Sequence, residues 1–308
     1  MDVDQTVLAR EYRIFPDRLT GMIPGWAAQA YRVQAGDKLF FLKAFDKSRP
    51  SSRAWMEAID RYMPAVVWLS ENTNLGGRMS RPLLTRDGQY KCEDDAYVYV
   101  LFEYIDGVAP RDTPLTRAQR RALAQIMADL HCIALEDFPL PTEGIVETFD
   151  VPFHDSLLLK LQEGGYASTY NDLITDRLHE LRELSREVST LGLPFVLCHT
   201  DVHGWNLIQS GRLVLIDWEG LKFSPAEADL FSFAHERYLC QHWDEFWAIY
   251  GKARPGCRVN ETAMRFFRLR RRLEDIDDFL NRLFYDNLSG REREDALQSL
   301  IRECELLD

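Results

Sequence analysis

Several features typical of secreted, membrane-spanning or zinc-binding proteins are missing from this sequence of 308 residues. We expect no signal peptide, and no apolar run is long enough to span a bilayer. The six cysteines are dispersed and form no C-x-x-C pair, which predicts free thiols rather than disulfides or a zinc site. The expected location is therefore the reducing cytoplasm.

Positive charge is also scarce. Lys and Arg number 37 against 49 Asp and Glu, which gives a formal net charge of −12. This balance opposes binding to nucleic acid or to anionic membranes, so we expect neither as a partner. It is compatible with a cationic small molecule, although many cytosolic enzymes are equally acidic. The charge excludes classes of partner better than it identifies one.

No linker divides the chain into independently folding parts. Hydrophobic residues make up 46% of the sequence and aromatic residues 12%, which is enough for a large core. Residues 1–106 have mostly strand patterns with one or two helices, whereas residues 107–308 have mostly helical patterns interrupted by one hairpin. The sequence predicts an α+β protein with an N-terminal lobe of strands and a C-terminal lobe of helices.

The segment from residue 199 to residue 217 carries the most informative chemistry. Strand-like runs at 207–209 and 212–216 are joined by Ser210-Gly211, and a glycine in a two-residue turn supplies the positive φ that tight hairpins require. Counted outward from this turn, Asn206 and Asp217 return to the same end of the ladder within about one residue pair. One amide oxygen and one carboxylate suit Mg²⁺ beside a nucleotide's phosphates. The pattern predicts a Mg²⁺ site.

Asp201 lies just upstream of this predicted site and is not needed as a metal ligand. A carboxylate beside a metal-bound phosphate can accept a hydrogen bond, and then the proton, from an acceptor hydroxyl. We interpret Asp201 as the catalytic base of a phosphotransferase. The alternative is that these carboxylates only cap turns, as Asp residues in loops often do.

The same segment resembles a known family. Its pattern is His-x-Asp-x-x-x-x-Asn followed downstream by Ile-Asp, within residues 198–207 and 216–220. This pattern resembles the catalytic loop and metal-binding segment of the aminoglycoside phosphotransferase family, and most of all its spectinomycin-kinase-like members. The resemblance implies a protein-kinase-like fold with a mostly antiparallel sheet in the N-terminal lobe and a mostly helical C-terminal lobe.

The resemblance also implies roles for individual residues. Asp201 matches the catalytic base, and Asn206 and Asp217 match the residues that hold Mg²⁺. His199 matches a histidine that braces the loop. Asp229 matches a carboxylate that accepts hydrogen bonds from the loop backbone, a structural role.

Lys43 lies in an apolar, strand-like run, residues 38–45. A lone lysine is costly to bury unless an anion meets it, and the resemblance implies that this lysine contacts nucleotide phosphates and pairs with a helix carboxylate. Our candidate for that carboxylate is Glu57; Asp60 and Glu71 also qualify. The alternative is an edge-strand lysine whose ammonium group extends into solvent.

The candidate partner lies on a predicted helix. Ser51-Ser52 can cap its start, and apolar residues recur after it at helical spacing. Pro64 is expected to end or kink this helix, because proline lacks the amide hydrogen that helices use.

A second strand-like run, residues 97–102, precedes the predicted nucleobase site. The resemblance implies that the carbonyl of Glu103 and the amide of Ile105 bind the base, with Phe102 at the entrance, where a bulky ring would disfavour adenine relative to guanine. An ordinary strand that ends in an Asp-Gly turn is the alternative. The segment from Thr20 to Gln29 corresponds to a phosphate-covering loop but has only two glycines and no G-x-G-x-x-G.

The clearest helix lies near the C-terminus. Apolar residues from Phe266 to Leu283 alternate steps of three and four, which defines one buried stripe. Basic residues are followed by acidic ones, with Arg270 and Glu274, and Arg271 and Asp275, spaced as ion pairs. We interpret this as a solvated, ion-paired face, although some of the acids could instead face an acceptor cleft.

These observations together predict an enzyme that transfers the γ-phosphate of ATP or GTP, with Mg²⁺, to a hydroxyl of a small cationic molecule such as an aminoglycoside. A metabolic kinase of the choline, homoserine or methylthioribose type shares all the motifs. A protein kinase fits less well, since Asp217 is followed by Trp-Glu rather than Phe-Gly. A non-catalytic nucleotide-binding protein is the remaining alternative.

Overall fold

The N-terminal part of the chain is built on an antiparallel sheet. A computed structural model describes residues 3–23, 25, 27–235 and 242–307. Helix α1 (Thr6–Tyr12) precedes the sheet, whose strand order is β1-β2-β3-β6-β4, with β5 also paired to β6. The strands are β1 (Arg18–Gly21), β2 (Gln29–Ala35), β3 (Lys38–Asp46), β4 (Pro82–Leu83), β5 (Cys92–Glu93) and β6 (Tyr97–Glu103). In the loop between β1 and β2, Pro24 and Trp26 lie outside the described residues.

The sheet is covered on both faces, which explains the unbroken apolar run of β6. Successive side chains of a strand point to opposite faces. Tyr97, Tyr99 and Leu101 pack into a small cluster that includes residues of α1. Val98 and Val100 join the large core cluster on the other face, which extends into the C-terminal part. The same alternation in β3 directs Lys43 toward the large core, since its neighbours Leu42 and Ala44 belong to the small cluster.

Helix α2 (Arg53–Asn72) packs between the sheet and the C-terminal part as one 20-residue helix with Pro64 inside it. The helix does not end at Pro64, so that part of the prediction is wrong. Proline removes one helical hydrogen bond, and burial of Met63, Ala65 and Val66 beside it compensates for that loss. The predicted serine cap is also absent, because the Ser52 hydroxyl donates to the Ala27 carbonyl (3.0 Å) instead.

Helices dominate the remainder of the chain. They are α3 (Arg117–His131), α4 (His154–Glu163), α5 (Asn171–Ser189), α6 (Glu227–His235), α7 (Trp243–Ala253), α8 (Glu261–Tyr285) and α9 (Gly290–Glu305). The capping box that starts α3 is present, with Thr116 and Gln119 bonded to each other's backbone. The predicted apolar stripe of α8 is buried throughout, from Phe266 to Leu283.

Four short strands interrupt these helices. Strands β7 (Val196–Cys198) and β10 (Lys222–Ser224) form one antiparallel pair, and β8 (Leu207–Ser210) and β9 (Arg212–Leu215) form a hairpin. The architecture is thus α+β, with an antiparallel sheet followed by a mainly helical part, as predicted. The boundary near residue 106 stays a prediction, because one hydrophobic core extends across it.

Two further findings concern the cysteines and the possibility of a membrane-spanning helix. None of the five cysteines in the described ranges forms a disulfide, and Cys240 lies outside those ranges. No helix among the described residues is both long and apolar enough to cross a membrane.

Candidate active site

The β8–β9 hairpin brings the predicted metal ligands to one end of its ladder. Leu207 pairs with Leu215, and beyond that pair the Ile216 amide donates to the Asn206 carbonyl at 2.9 Å. Gly211 turns the chain with a φ of 66°, the left-handed conformation that glycine adopts without strain. Asp217 follows immediately, so its position relative to Asn206 matches the expectation from the turn. The roles of both residues as Mg²⁺ ligands stay predictions.

Two residues of the site that are not glycines adopt left-handed backbone conformations. Thr200 has a φ of 67° and Asp217 a φ of 72°. Such conformations are sparsely populated and persist only where surrounding contacts hold them. The fully buried Asp229 supplies such contacts, because its carboxylate accepts hydrogen bonds from the amides of His199 (2.9 Å) and Thr200 (2.6 Å). This is the loop-bracing arrangement that the resemblance implies for Asp229.

A buried hydrogen-bond chain holds Asp229 in turn. The ring of His131, which the structure buries completely, lies 2.8 Å from the Asp229 carboxylate and 2.8 Å from the Tyr250 hydroxyl. The sequence analysis did not identify either residue as part of this site. His131 is the last residue of α3 and Tyr250 belongs to α7, so no local spacing could relate them to the loop.

His199 braces the loop from the opposite side. Its Nδ1 accepts the Asp201 amide at 3.2 Å, and its Nε2 lies 2.9 Å from the Ile216 carbonyl. These partners assign the hydrogen to Nε2, since a carbonyl can only accept. Burial lowers the pKa of His199, which favours this neutral form. The ring thereby links the loop before Asp201 to the hairpin strand that precedes Asp217.

The carboxylate of Asp201 is surrounded by hydrogen-bond donors. Its Oδ2 accepts from Asn206 Nδ2 at 2.8 Å, and its Oδ1 lies 2.9 Å from Arg271 and 3.3 Å from His203. Burial raises the pKa of Asp201, but the positive charges of Arg271 and His203 outweigh this and hold the pKa well below its usual range. Asp201 is therefore ionised at neutral pH.

The same contacts orient the amide of Asn206. Its Nδ2 donates to both the carbonyl and the carboxylate of Asp201, which leaves the side-chain oxygen available as a ligand. That oxygen and the Asp217 carboxylate are the kinds of donor that Mg²⁺ prefers. The donor set thus fits the predicted ion.

Lys43 meets two carboxylates, and neither belongs to α2. Its ammonium group contacts both Asp217 and Glu219, and its side chain is only 15% exposed, which excludes the solvent-exposed alternative. Burial lowers the pKa of Lys43, but the two negative charges outweigh this and raise it. The charge of Lys43 lowers the pKa of Asp217, whereas burial and the charge of Asp217 raise the pKa of Glu219 to about 8. Glu219 is thus the less acidic of the two carboxylates.

The choice of Glu57 as the partner of Lys43 is corrected by this arrangement. Glu57 lies on the outer face of α2, is 60% exposed and pairs with Arg53 at 2.9 Å. The alternative Asp60 pairs with Lys91 at 2.8 Å. The stripe of α2 that faces the core is apolar, so the helix presents its carboxylates to solvent. The sequence feature that could have indicated Glu219 as a partner of Lys43 is its position two residues after Asp217.

The predicted nucleobase segment follows β6. Phe102 is 7% exposed, and its ring centroid lies 6.3 Å from that of Phe41 on the neighbouring strand. The Glu103 amide donates to the Arg81 carbonyl at 2.9 Å, and its side chain is half exposed. Across the described ranges, the Ile105 amide donates no hydrogen bond. The contacts of Glu103 and Ile105 with a base stay predictions.

Residues between β6 and α3 support the catalytic loop. The Arg111 amide donates to the Gly204 carbonyl at 3.0 Å, and Asp112 accepts from the Trp205 indole at 3.0 Å. A Cβ at position 204 would lie 1.9 Å from the Arg111 carbonyl oxygen. Only glycine therefore allows the loop to approach this segment so closely.

Helix α8 differs from the solvated face that the sequence predicts. The spacing does pair Arg271 with Asp275 (3.0 Å) and Arg270 with Glu274 (3.6 Å). Arg270 is nevertheless buried and binds Glu147 through two hydrogen bonds, while Arg271 reaches Asp201. The helix packs against the catalytic segment, so part of its charged face is turned inward.

Two carboxylates of α8 have unusual acidities. Burial raises the pKa of Asp275 to about 6, although Arg271 opposes the shift. Burial and neighbouring acids raise the pKa of Asp278 to about 7. Carboxylates that are costly to ionise in the free protein gain most from a nearby positive charge. This part of α8 is therefore suited to contact a cation.

Comparison with known proteins places the chain among phosphotransferases. The family model described as "Phosphotransferase enzyme family" matches residues 19–268. Similar solved structures include a spectinomycin phosphotransferase in complex with ADP and spectinomycin, with a TM-score of 0.71 and 16% identity over 98% of this chain and 96% of that one. A microcompartment-associated aminopropanol kinase has a TM-score of 0.66 and 17% identity over 98% and 95% of the two chains. A choline kinase from Streptococcus pneumoniae has a TM-score of 0.66 and 16% identity over 98% and 96%. No curated protein shows significant sequence similarity.

Proposed function

Because the chain belongs to the phosphotransferase enzyme family, with the kinase-like fold of its structural relatives, we propose that it transfers the γ-phosphoryl group of ATP or GTP to a hydroxyl of a small cationic molecule. The observation that carries this proposal is the placement of an ionised Asp201 against Asn206, next to the hairpin that presents Asp217 to Lys43. This combination supplies a base and a cationic phosphate contact within one site.

Asp201 is the proposed base. Its carboxylate orients the acceptor hydroxyl and takes the proton late in the reaction, because a carboxylate of low pKa is too weak to ionise an alcohol beforehand. The braces formed by His199 and Asp229 keep the loop in its strained conformation before substrate arrives. Most of the rate enhancement then comes from positioning and electrostatics.

Asn206 and Asp217 are the proposed holders of Mg²⁺, which when bound would neutralise charge on the phosphate oxygens. Lys43 extends from β3 toward Asp217 and is the proposed contact of the nucleotide phosphates. Nucleotide phosphates would add negative charge beside Glu219, whose raised pKa favours its neutral form there. We further propose that residues 1–106 form the nucleotide-binding lobe and residues 107–308 the lobe that binds the acceptor, in a cytoplasmic protein.

The nucleobase is proposed to bind at the end of β6, through the Glu103 carbonyl and the Ile105 amide. The lack of a partner for the Ile105 amide among the described residues supports this. Phe102 would then limit the space beside the base. Its replacement by alanine should raise turnover with ATP relative to GTP; an unchanged ratio would reject the role of Phe102.

A cationic acceptor is supported by the charge of the protein and by α8. The net charge is −12, and α8 presents the half-buried Asp275 near Asp201, with the half-buried Asp278 three residues further along the helix. Among the structural relatives, those named for aminopropanol and choline act on small cationic alcohols, and another binds spectinomycin. An antibiotic and a metabolite of this kind present the same chemistry, so both belong in the test.

The test is a coupled assay of nucleotide consumption with Mg²⁺ over aminoglycosides, spectinomycin, cyclic peptide antibiotics, choline and amino alcohols. We expect turnover with one chemical class, with the product confirmed as a phosphate ester by mass spectrometry. Asp201→Asn should abolish turnover and retain nucleotide binding, and Asp95→Asn, at an exposed position, is the charge-matched control. Full turnover by Asp201→Asn would reject the proposal.

A further inference from the structure

The carboxylate of the proposed base is 27% exposed, and most of its acceptor positions are already taken in this structure. Both oxygens of the Asp201 carboxylate already have donors, namely Asn206 at Oδ2 and Arg271 with His203 at Oδ1. A general base needs an oxygen that can accept the hydrogen of the attacking hydroxyl. The Asn206 contact belongs to the loop itself, since it spans five residues. Arg271 comes from a distant helix, so its contact is the one that can be exchanged.

Arg271 is held at this place by a second carboxylate. Its Nε lies 3.0 Å from Asp275, one turn further along α8, while its terminal nitrogen lies 2.9 Å from Asp201. The guanidinium group thus lies between two acids, and its side chain is 36% exposed. A guanidinium group donates hydrogen bonds and accepts none. It can therefore neutralise Asp201 but cannot take a proton in its place.

The position of Arg271 is the one that a cationic acceptor would need. The acceptor hydroxyl must reach Asp201, and its ammonium group would find its counter-charge at Asp275 and Asp278. Arg271 already contacts Asp201 and Asp275. An acceptor that brings both a hydroxyl and a positive charge can replace both contacts together, whereas a water molecule can replace only one.

We propose that Arg271 is a positioning residue that covers Asp201 in the absence of acceptor and so suppresses hydrolysis of the bound nucleotide. This proposal rests on the proposed function. In the suppressed reaction, the water oxygen would form a bond to the γ-phosphorus while the bond from that phosphorus to the β–γ bridging oxygen breaks. The nucleoside diphosphate leaves with the electron pair, and the proton of the water passes to Asp201.

The test is release of inorganic phosphate from Mg²⁺-ATP without acceptor. Arg271→Gln removes the charge and should raise the rate about 10-fold or more, since a released base contributes on the order of 10²-fold. Arg271→Lys keeps the positive charge but has one nitrogen where Arg271 uses two to contact Asp275 and Asp201, so it should raise the rate less than Arg271→Gln does. Arg265→Gln is the matched control, as Arg265 lies on the same helix and is 57% exposed.

A double variant separates this role from a merely structural one. If the extra hydrolysis of Arg271→Gln passes through Asp201, adding Asp201→Asn must return the rate to background. Guanidinium ion at low millimolar concentration should restore suppression in Arg271→Gln and leave Arg265→Gln unaffected. Thermal melting of each variant verifies that the fold is retained.

Two results would overturn the proposal. One is a folded Arg271→Gln enzyme that hydrolyses ATP at the wild-type rate, and the other is extra hydrolysis that persists after Asp201→Asn. Failure of the proposed function has a different signature, because Asp201→Asn alone would then phosphorylate the acceptor as well as the wild type does. An enzyme that phosphorylates an acceptor through Asp201 but shows no effect of Arg271→Gln would refute only the role of Arg271.

Discussion

Replacing Glu147 with glutamine should destabilise the protein more than any surface charge change on α8. Arg270 binds Glu147 through two hydrogen bonds, of 2.8 and 2.7 Å, and the two side chains are 9% and 2% exposed. The backbone of Glu147 also donates to the Phe223 carbonyl of β10 at 2.8 Å. Because β10 pairs with β7, which leads into the catalytic loop, the ion pair anchors α8 to the catalytic segment.

The magnitude follows from burial. Removing one partner of a buried ion pair costs about 3–5 kcal/mol when the other charge is left uncompensated, and here Arg270 would keep only the more distant Glu274, at 3.6 Å. Glutamine keeps the shape of Glu147 and one acceptor oxygen, so we expect about 3 kcal/mol for Glu147→Gln. Glu180→Gln is the matched control on a more exposed network, where the Arg265 side chain is 57% exposed, and should cost about 1 kcal/mol or less.

The pair also has a pH dependence with a definite sign. Arg270 outweighs the effect of burial and lowers the pKa of Glu147 from 4.5 to about 2. Between these two values the unfolded chain binds the extra proton, so stability rises with pH there. The contribution of Glu147 is fully present above pH 4.5 and is lost as the pH falls through about 2. Glu147→Gln should therefore show a flatter stability profile over this window.

Urea unfolding at pH 7, followed by tryptophan fluorescence, measures the effect through the transition midpoints. A second variant with methionine at both positions should recover most of the loss, because an apolar pair of similar volume often replaces a buried ion pair without cost. The reasoning is refuted if Glu147→Gln and Glu180→Gln shift the midpoint equally.

Three further predictions concern Lys43, α8 and the loop that carries Asp201. Gly204→Ala places a Cβ 1.9 Å from the Arg111 carbonyl oxygen, so it should lower the free energy of unfolding by about 1–3 kcal/mol and reduce kcat. Thermal melting and turnover measure the two effects. The control is Gly290→Ala, where a Cβ meets nothing within 4 Å, and it should change neither. Lys43→Met should lower kcat about 10²-fold, as loss of a preorganised charge does. The kcat of Glu57→Gln should stay within about 2-fold of the wild type. Equal losses of kcat in the two variants would contradict the assignment of Asp217 and Glu219 as the partners of Lys43. Burial and neighbouring acids raise the pKa of Asp278 from 3.8 to about 7, so between these values the native state binds more protons than the unfolded chain and stability falls as pH rises. Asp278→Asn should therefore raise Tm at pH 8 but not at pH 4. An equal change at both pH values would contradict this account of Asp278.

Features that depend on short-range physics could be predicted from the amino-acid sequence. The predicted turn lies at Gly211 itself, since Ser210 pairs with Arg212, and it still brings Asn206 and Asp217 to one end of the hairpin because pairing outward from a tight turn leaves little freedom in register. The same is true of the buried stripe of α8, where helical periodicity decides which side chains face the core. The motif from His199 to Asp217 and the α+β fold class could both be predicted from such local patterns.

Which distant charges meet could not be predicted in this way, because it depends on how the helices and strands pack. Lys43 contacts Glu219, 176 residues away, because β3 directs its lysine toward the turn after β9, while the face of α2 that packs inward is apolar. Arg271 contacts Asp201 while its side chain stays 36% exposed, because α8 passes beside the loop that carries Asp201. These pairings depend on how whole elements pack, and the energy of an ion pair depends on the burial that the packing creates. A spacing rule within one helix contains neither quantity, which is why it predicted an exposed face for α8.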